Sequence, residues 1–340
     1  MYPISDWKKE RLPVIPIKDE RVNFFAKYGV EMAAVAGCAL SWRTLKLPAA
    51  EGILDGLDAH GLLRSDVNYA EASSGRMAEM YLARAKSRGL RRDQFTFLIR
   101  DDVPGAKKGI VRFGGADRIE PGRKSNAIQL ARDMGGGGWN GKGWNIGANS
   151  TVNPDQYATP YAYTHYEGWA SENIVEQFGE FDDIVVPVGT GSTMIGLRRG
   201  LHARLEKKPN IIGAMCADGV EVPGMRDEKK MAFVRHPWRE AADAIIKVSR
   251  SPSFLTAPWI SWEIDSNAAP SGGAAYVATC LYLEQLRRKD AKLLHDRRVL
   301  FVIHDEASQY VGDRMDEFPM EAFYLPTATL PEELIFGGGK

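Results

Sequence analysis

Along most of this 340-residue chain, apolar runs of strand length alternate with stretches of helical periodicity, and that alternation restricts the fold more than any other feature. Runs at 31–36, 67–70, 95–99, 110–113, 184–188, 211–215 and 300–303 read as strands. Periodicity over 49–59, 76–88, 126–133, 171–178, 194–206 and 274–287 reads as helices. Strand and helix alternating at this spacing give an α/β protein whose parallel sheets are covered by helices on both faces. At roughly 100–200 residues per domain, the length implies two domains.

Charge narrows the function classes. The 44 Lys and Arg balance 44 Asp and Glu, so the basic footprint of a nucleic-acid binder is missing and a small-molecule site is expected. The N-terminal MYPISDWKKERLPVIP has no apolar core of a secretory signal. The longest apolar stretch, 30–40, is too short to span a bilayer. Cys38, Cys216 and Cys280 are far apart and form no CxxC pair, which predicts buried structural thiols, neither a disulfide framework nor a metal site, in a cytoplasmic protein.

One segment breaks the rhythm. Residues 135–166 read GGGGWNGKGWNIGANSTVNPDQYATPYAYTHY, without periodicity and rich in Gly, Asn, Trp and Tyr. A loop this long is usually functional or connects domains, and Trp139, Trp144, Tyr157 and Tyr161 suit a lining segment between two domains better than a solvated linker.

Four short constellations carry candidate chemistry. Lys46 precedes a helical pattern with Pro48 near its start and Gly61 at its stop. There the positive end of the helix dipole disfavours an ammonium, as an amine acting as nucleophile and base requires; the plain alternative is a surface lysine. Residues 182–193, DDIVVPVGTGST, read as strand, tight turn and helix start. This is either an anion cradle suited to phosphate or only a turn. No Gly-Lys-Ser/Thr ends it, and Met194 occupies the place of a third dinucleotide-motif glycine. Ser73-Ser74-Gly75-Arg76-Met77 again joins strand to helix, offering donors to a carboxylate or simply an N-cap. Ser271, before Gly272 and Gly273, presents the same choice between cap and ligand. The six histidines contain no HxH or HExxH spacing, and His304-Asp305-Glu306, closing a strand, reads as a solvated strand end, with a place facing the site as the alternative.

In this order the four segments resemble the fold-type II pyridoxal-phosphate enzymes, specifically the cysteine synthase (O-acetylserine sulfhydrylase) and cystathionine β-synthase group. TLKLPAAEGILDGLDAHGLL is similar to the family's lysine segment, SSGRM to its Thr-Ser-Gly-Asn-Thr loop and NPDQY to its Gln-Tyr segment. GTGST is similar to its GTGGT phosphate loop, Ser271-Gly272-Gly273 to its Ser-Ser-Gly, and HDEASQY to its Pro-Asp-Ser-Gly-x-x-Tyr tail. The resemblance runs from about Leu12 to Tyr310.

The resemblance implies a tryptophan synthase β-like architecture of two three-layer α/β/α domains with the cofactor in the cleft between them. The domains would not be sequential halves: residues 1–47 and 155–340 would form the large cofactor-binding domain, and 48–154 a small mobile substrate-loop domain. It implies that Lys46 forms the internal Schiff base with pyridoxal 5′-phosphate and shuttles the substrate α-proton. Gly189, Thr190, Gly191, Ser192 and Thr193 would hold the phosphate, and Ser271 the pyridine nitrogen. Ser73, Ser74, Gly75, Arg76, Met77 and Gln156 would bind the amino-acid substrate. The implied activity is β-replacement on an O-activated serine or related amino acid through an aminoacrylate, with a small nucleophile, in a homodimer. β-Elimination of the serine/threonine dehydratase kind, or a non-catalytic relative kept for binding, are the alternatives.

The sequence departs from that pattern at the substrate loop. Arg76 stands where the family has the Asn that touches the cofactor's phenolic oxygen, and Met77 replaces a Thr. Arg76 either neutralises that phenolate or binds an extra anionic group of an atypical substrate; the plain alternative is an outward-facing helix residue. The usual Asn-Pro before the lysine segment is absent.

Overall fold

The computed structural model describes residues 6–20, 22–73, 75–100, 118–122 and 127–310. The predicted strand at 110–113 and Ser74 lie outside them. The chain divides into two compact units: Met1–Trp7, Lys46–His165 and Phe233–His236 in the first, and Lys8–Leu45, Tyr166–Ala232 and Pro237–Lys340 in the second.

The second unit is built on a six-stranded sheet. Its strands are β1 (Val14–Pro16), β2 (Glu31–Ala36), β7 (Asp183–Pro187), β8 (Asn210–Cys216), β9 (Ala244–Val248) and β10 (Arg298–Ile303), in the order β1-β2-β10-β7-β8-β9. All pairs are parallel except β1 with β2. The central β10 is nearly continuous Val, Leu, Phe and Ile, and its neighbour β7 is buried throughout around Ile-Val-Val, as strands covered on both faces must be. The short β1, with Pro16 as its last residue, occupies the edge where a missing N–H costs least. The unit's helices are α4 (Ser171–Phe178), α5 (Ser192–Arg204), α6 (Arg250–Glu263) and α7 (Pro270–Lys289). Helix α7 starts on Pro270, a residue pre-set for the first turn, and packs against α6 and the sheet. Two glycines permit that approach: a Cβ on Gly273 would lie 2.0 Å from the Ser253 carbonyl oxygen, and one on Gly272 2.8 Å from Ile303.

The first unit carries a four-stranded, all-parallel sheet of β3 (Asn68–Ala72), β4 (Phe95–Arg100), β5 (Arg118–Gly122) and β6 (Thr151–Val152), in the order β5-β4-β3-β6. With it are α1 (Lys46–Ala59), α2 (Arg76–Ala85) and α3 (Ala127–Met134). Helix α1 stops as predicted: Gly61 adopts φ 65°, and the N–H groups of Gly61 and Leu62 close on the carbonyls of Asp58 and Leu57.

Several expectations shift. Helix α1 begins on Lys46 itself, three residues before the predicted start. Segment 135–166 is not a structureless loop, because it contains β6 and packs its aromatic rings together. Trp139, Trp144, Tyr161 and His60 lie within 4.8–5.9 Å of one another, centroid to centroid. The three cysteines are buried and free, their thiols pushed up above the ordinary value by burial. No helix of the described residues is long and apolar enough to cross a membrane.

Candidate active site

In the second unit, Val188 leaves the central strand β7, and Gly189-Thr190-Gly191 turns the chain into α5, which starts at Ser192. The turn demands both glycines. Gly191 has φ 81°, and a Cβ there would meet Trp238 at 2.6 Å; a Cβ on Gly189 would come within 2.5 Å of the Gly224 carbonyl oxygen. Thr190 Oγ1 accepts the Ser192 N–H at 3.3 Å and lies 2.9 Å from Ser192 Oγ. Ser192 and Thr193 are buried. Backbone N–H groups, hydroxyls and the positive helix end thus converge on one point, the arrangement that binds phosphate.

Ser271 belongs to the same unit, on the first turn of α7. It is not a cap: the N-cap position is Ala269 and no side chain bonds there. The Ser271 side chain sits in a residue only 2% exposed, and its Oγ has no hydrogen-bond partner among the described residues. A buried hydroxyl left unpaired costs of order 1–3 kcal/mol, so this atom is poised for a partner that is not part of the chain. A ring nitrogen fits it, as a phosphate fits the α5 turn. The residues present therefore suit a phosphorylated, nitrogen-containing cofactor.

The segment leading to Lys46 is fastened to the end of β10. Arg43 pairs with Glu306 at 2.7 Å, Thr44 donates to Asp305, and the Leu45 N–H donates to the His304 carbonyl at 2.8 Å. Residues 304–306 are consequently buried, correcting the expectation of a solvated strand end. The Tyr166 hydroxyl donates to the Leu45 carbonyl, and His304 Nε2 lies 2.9 Å from Thr193 Oγ1 of the phosphate-type turn. Lys46 follows directly as the first, half-buried residue of α1.

In the first unit, β3 leads through Ser73 to Gly75 and α2. Ser73 Oγ accepts the N–H groups of Gly75 and Ala78 at 3.1 and 3.2 Å, capping the helix that Gly75 enters with φ 138°. Gln156 lies beside this turn, its side-chain amide donating to the Ala72 carbonyl at 2.8 Å. The structure thus brings Ser73, Gly75 and Gln156 together. Met77 is buried. Arg76 does not turn outward: its side chain is 12% exposed, Nη1 pairs with Glu79 at 2.7 Å, and Nε is buried without a partner among the described residues.

Behind Gln156 lies a buried polar network that spacing does not reveal. The Glu71 carboxylate accepts the Gln156 N–H at 3.2 Å, and burial together with the nearby Asp155 charge pushes its pKa up to about 8. His236 Nε2 lies 2.9 Å from the Gln156 carbonyl, and burial pushes its pKa down to about 4. Glu71 immediately precedes the Ala72-Ser73 turn. A lone charged residue inside an apolar strand was the one available signal for it.

A family model described as pyridoxal-phosphate dependent enzyme matches residues 43–305. The cystathionine beta-synthase of Dictyostelium discoideum is 25% identical over 177 residues, 48% of this chain. The match covers 34% of that protein, so the chain spans about a third of the length of this curated relative. Among solved structures, the O-acetylserine dependent cystathionine beta-synthase from Helicobacter pylori superposes with a TM-score of 0.72 at 19% identity, over 92% of this chain and 98% of that one. A cysteine synthase from Entamoeba histolytica gives 0.73 at 15% over 92% and 93%, and an O-ureido-L-serine synthase 0.71 at 17% over 92% and 96%. At these identities the likeness establishes the fold.

Proposed function

Because the chain belongs to the family of pyridoxal-phosphate dependent enzymes, we propose that it binds pyridoxal 5′-phosphate and catalyses β-replacement on an O-activated serine or a related amino acid. The observation that carries this reading is the buried hydroxyl of Ser271, without a hydrogen-bond partner among the described residues, in the same unit as the turn at Gly189–Thr193.

Pyridoxal phosphate, when bound, withdraws electrons from the substrate α-carbon. Gly189, Thr190, Gly191, Ser192 and Thr193 would hold its phosphate, and Lys46 Nζ would hold its carbonyl carbon and serve as the base for the substrate α-proton. Ser271 Oγ would hydrogen-bond the ring nitrogen. A hydroxyl would not keep a proton on that nitrogen as a carboxylate does, so the group would supply a weaker electron sink, one suited to β-replacement. Ser73, Ser74, Gly75 and Gln156 bind the substrate carboxylate. The half-buried lysine at the start of α1 and the Gln156 amide beside the Ser73 turn support these roles. The O-acetylserine dependence named for the Helicobacter pylori cystathionine beta-synthase supports the substrate class.

Arg76 is the specificity residue in this reading. A guanidinium mostly removed from water, with one N–H unclaimed among the described residues, suits an anionic group that ordinary O-acetylserine lacks.

Spectroscopy and product analysis test the proposal. The purified protein mixed with pyridoxal phosphate is expected to take up a visible absorbance that Lys46→Ala abolishes. An O-activated serine with sulfide is expected to give cysteine. Release of a 2-oxo acid irrespective of sulfide would identify elimination instead, and absence of any cofactor binding would sink the enzymatic reading. The same reading makes the protein a homodimer, which light scattering checks.

A further inference from the structure

Four residues of the second unit form a closed hydrogen-bond circuit whose direction can be deduced. A carbonyl oxygen can only accept. The Tyr166 hydroxyl, buried and pushed to a higher pKa by that burial, therefore spends its one proton on the Leu45 carbonyl. The Tyr166 oxygen, hydrogen-bonded also to Thr193, then accepts the Thr193 proton. Thr193 Oγ1 in turn accepts from His304 Nε2, 2.9 Å away, so the imidazole carries its proton on Nε2. The circuit closes through the backbone, where the Leu45 N–H donates to the His304 carbonyl at 2.8 Å. Both polar groups of Leu45, the residue preceding Lys46, are thereby committed. The circuit passes through Thr193 of the anion-binding turn, and Tyr166 opens a single π-helical turn, Tyr166–Ala170, a local distortion often found at functional sites.

We propose that His304 is a positioning residue that aligns Thr193 for the cofactor phosphate and, through Tyr166, ties the state of that turn to the Leu45 peptide presenting Lys46. The inference rests on the reading of the Gly189–Thr193 turn as a phosphate site. An anion arriving there competes with Tyr166 for the single Thr193 proton, whereas the His304 N–H keeps the Thr193 oxygen in place for either partner.

Binding titrations test it with three probes: pyridoxal phosphate, pyridoxal without the phosphate, and inorganic phosphate. The phosphate-bearing probes are expected to bind His304→Phe about tenfold more weakly, the scale of one hydrogen bond, with pyridoxal unchanged within about twofold. His304→Gln, whose amide can donate in place of Nε2, is expected to recover most of the loss. His304→Phe added to Thr193→Val is expected to weaken phosphate no further than Thr193→Val alone. Tyr166→Phe frees the Thr193 proton and is expected to tighten phosphate binding severalfold, a sign opposite to that of damaged packing. This variant carries the test even where His304→Phe folds poorly. Unchanged phosphate affinity in His304→Phe, an equal loss for pyridoxal, additive effects with Thr193→Val, or weaker phosphate binding in Tyr166→Phe would each overturn the inference. A wild-type protein that binds phosphate but not pyridoxal phosphate overturns the proposed function instead, and the phosphate arm still decides this one.

Discussion

Arg132 and Asp155 face each other fork to fork, Nε and Nη2 of the guanidinium each 3.0 Å from a carboxylate oxygen, in side chains 3% and 0% exposed. Asp155 carries this pair at φ 53°, one residue before Gln156, and its backbone carbonyl accepts the N–H groups of Ala158 and Thr159. The ion pair thus sets the turn from which Gln156 reaches the end of β3.

Breaking one side of a desolvated pair leaves the other charge buried and uncompensated, at a cost of about 3–5 kcal/mol. Arg132→Met and Asp155→Ala are each expected to lower unfolding stability by that order, read from denaturant midpoints. The double variant is expected to be less damaged than the sum of the two, which would show the coupling directly.

Two buried groups give the stability opposing pH dependences. Glu71 is raised in the folded protein to about 8, from 4.5, so the folded state holds its proton longer than the unfolded one. Its contribution is whole below about pH 4.5 and is lost as pH rises through 8. His236 is depressed from 6.5 to about 4, so its contribution is whole above 6.5 and is lost as pH falls through 4. The two ranges overlap from pH 4.5 to 6.5, where the groups act in opposite directions, and from 6.5 to 8 Glu71 is the one of the pair that contributes to the slope. Glu71→Gln, which keeps an acceptor for the Gln156 N–H, is expected to flatten stability over that range and to leave the acid limb intact. Chemical denaturation at intervals of pH checks both.

A methyl group at Gly191 tests the anion-binding turn. Its φ of 81° already penalises any side chain, and the added Cβ would press on Trp238 at 2.6 Å. Gly191→Ala is expected to cost about 1–3 kcal/mol of stability and to weaken pyridoxal phosphate at least tenfold, measured by equilibrium dialysis. A variant that binds like the wild type would remove the turn from the site.

Much of this turn was legible in advance. In DIVVPVGTGST the hydrophobic period changes from strand to helix across two glycines, and both events are local in sequence. Four described strands lie outside the runs read from the sequence; β9, AIIKV, has the β-branched signature of a strand, whereas the other three have none. β6 is two residues long, β5 reads RIEPG, and β1 is a three-residue edge. Helix α6 holds Pro258 in its interior, which a reading by local propensity treats as a stop. Long-range contacts explain the remaining failures. His304 meets Thr193 across 111 positions, and no spacing rule links a histidine at a strand end to a threonine at a helix start. The resemblance carried Ser271 and Lys46 because each sits in a short motif. Glu71 and Arg132 belong to no motif, and their meaning comes from burial alone.

Replacing Arg76 by Asn restores the neutral amide of the related loops. The change is expected to shift the specificity constant toward O-acetylserine and against substrates carrying a second anionic group, by about tenfold or more if one charge-assisted bond of about 1.5–3 kcal/mol is lost. The measurement is kcat/KM across a panel of O-substituted serines. An unchanged ranking would return Arg76 to a purely local role with Glu79.

Ser271 offers the cleanest separation of folding from binding, because its hydroxyl satisfies nothing in the protein among the described residues. Removing a group that pays desolvation without a hydrogen bond should not destabilise the fold. Ser271→Ala is therefore expected to leave the ligand-free protein as stable as the wild type or more stable by up to about 1 kcal/mol, in contrast to the losses expected at Arg132 and Gly191. The same variant is expected to weaken pyridoxal phosphate by about tenfold and to shift the bound chromophore's absorbance. Inorganic phosphate, which reaches only the α5 turn, is expected to bind unchanged. A loss of stability in the ligand-free Ser271→Ala protein would mean that the hydroxyl serves the fold, and the argument for a ring nitrogen at that position would fall with it.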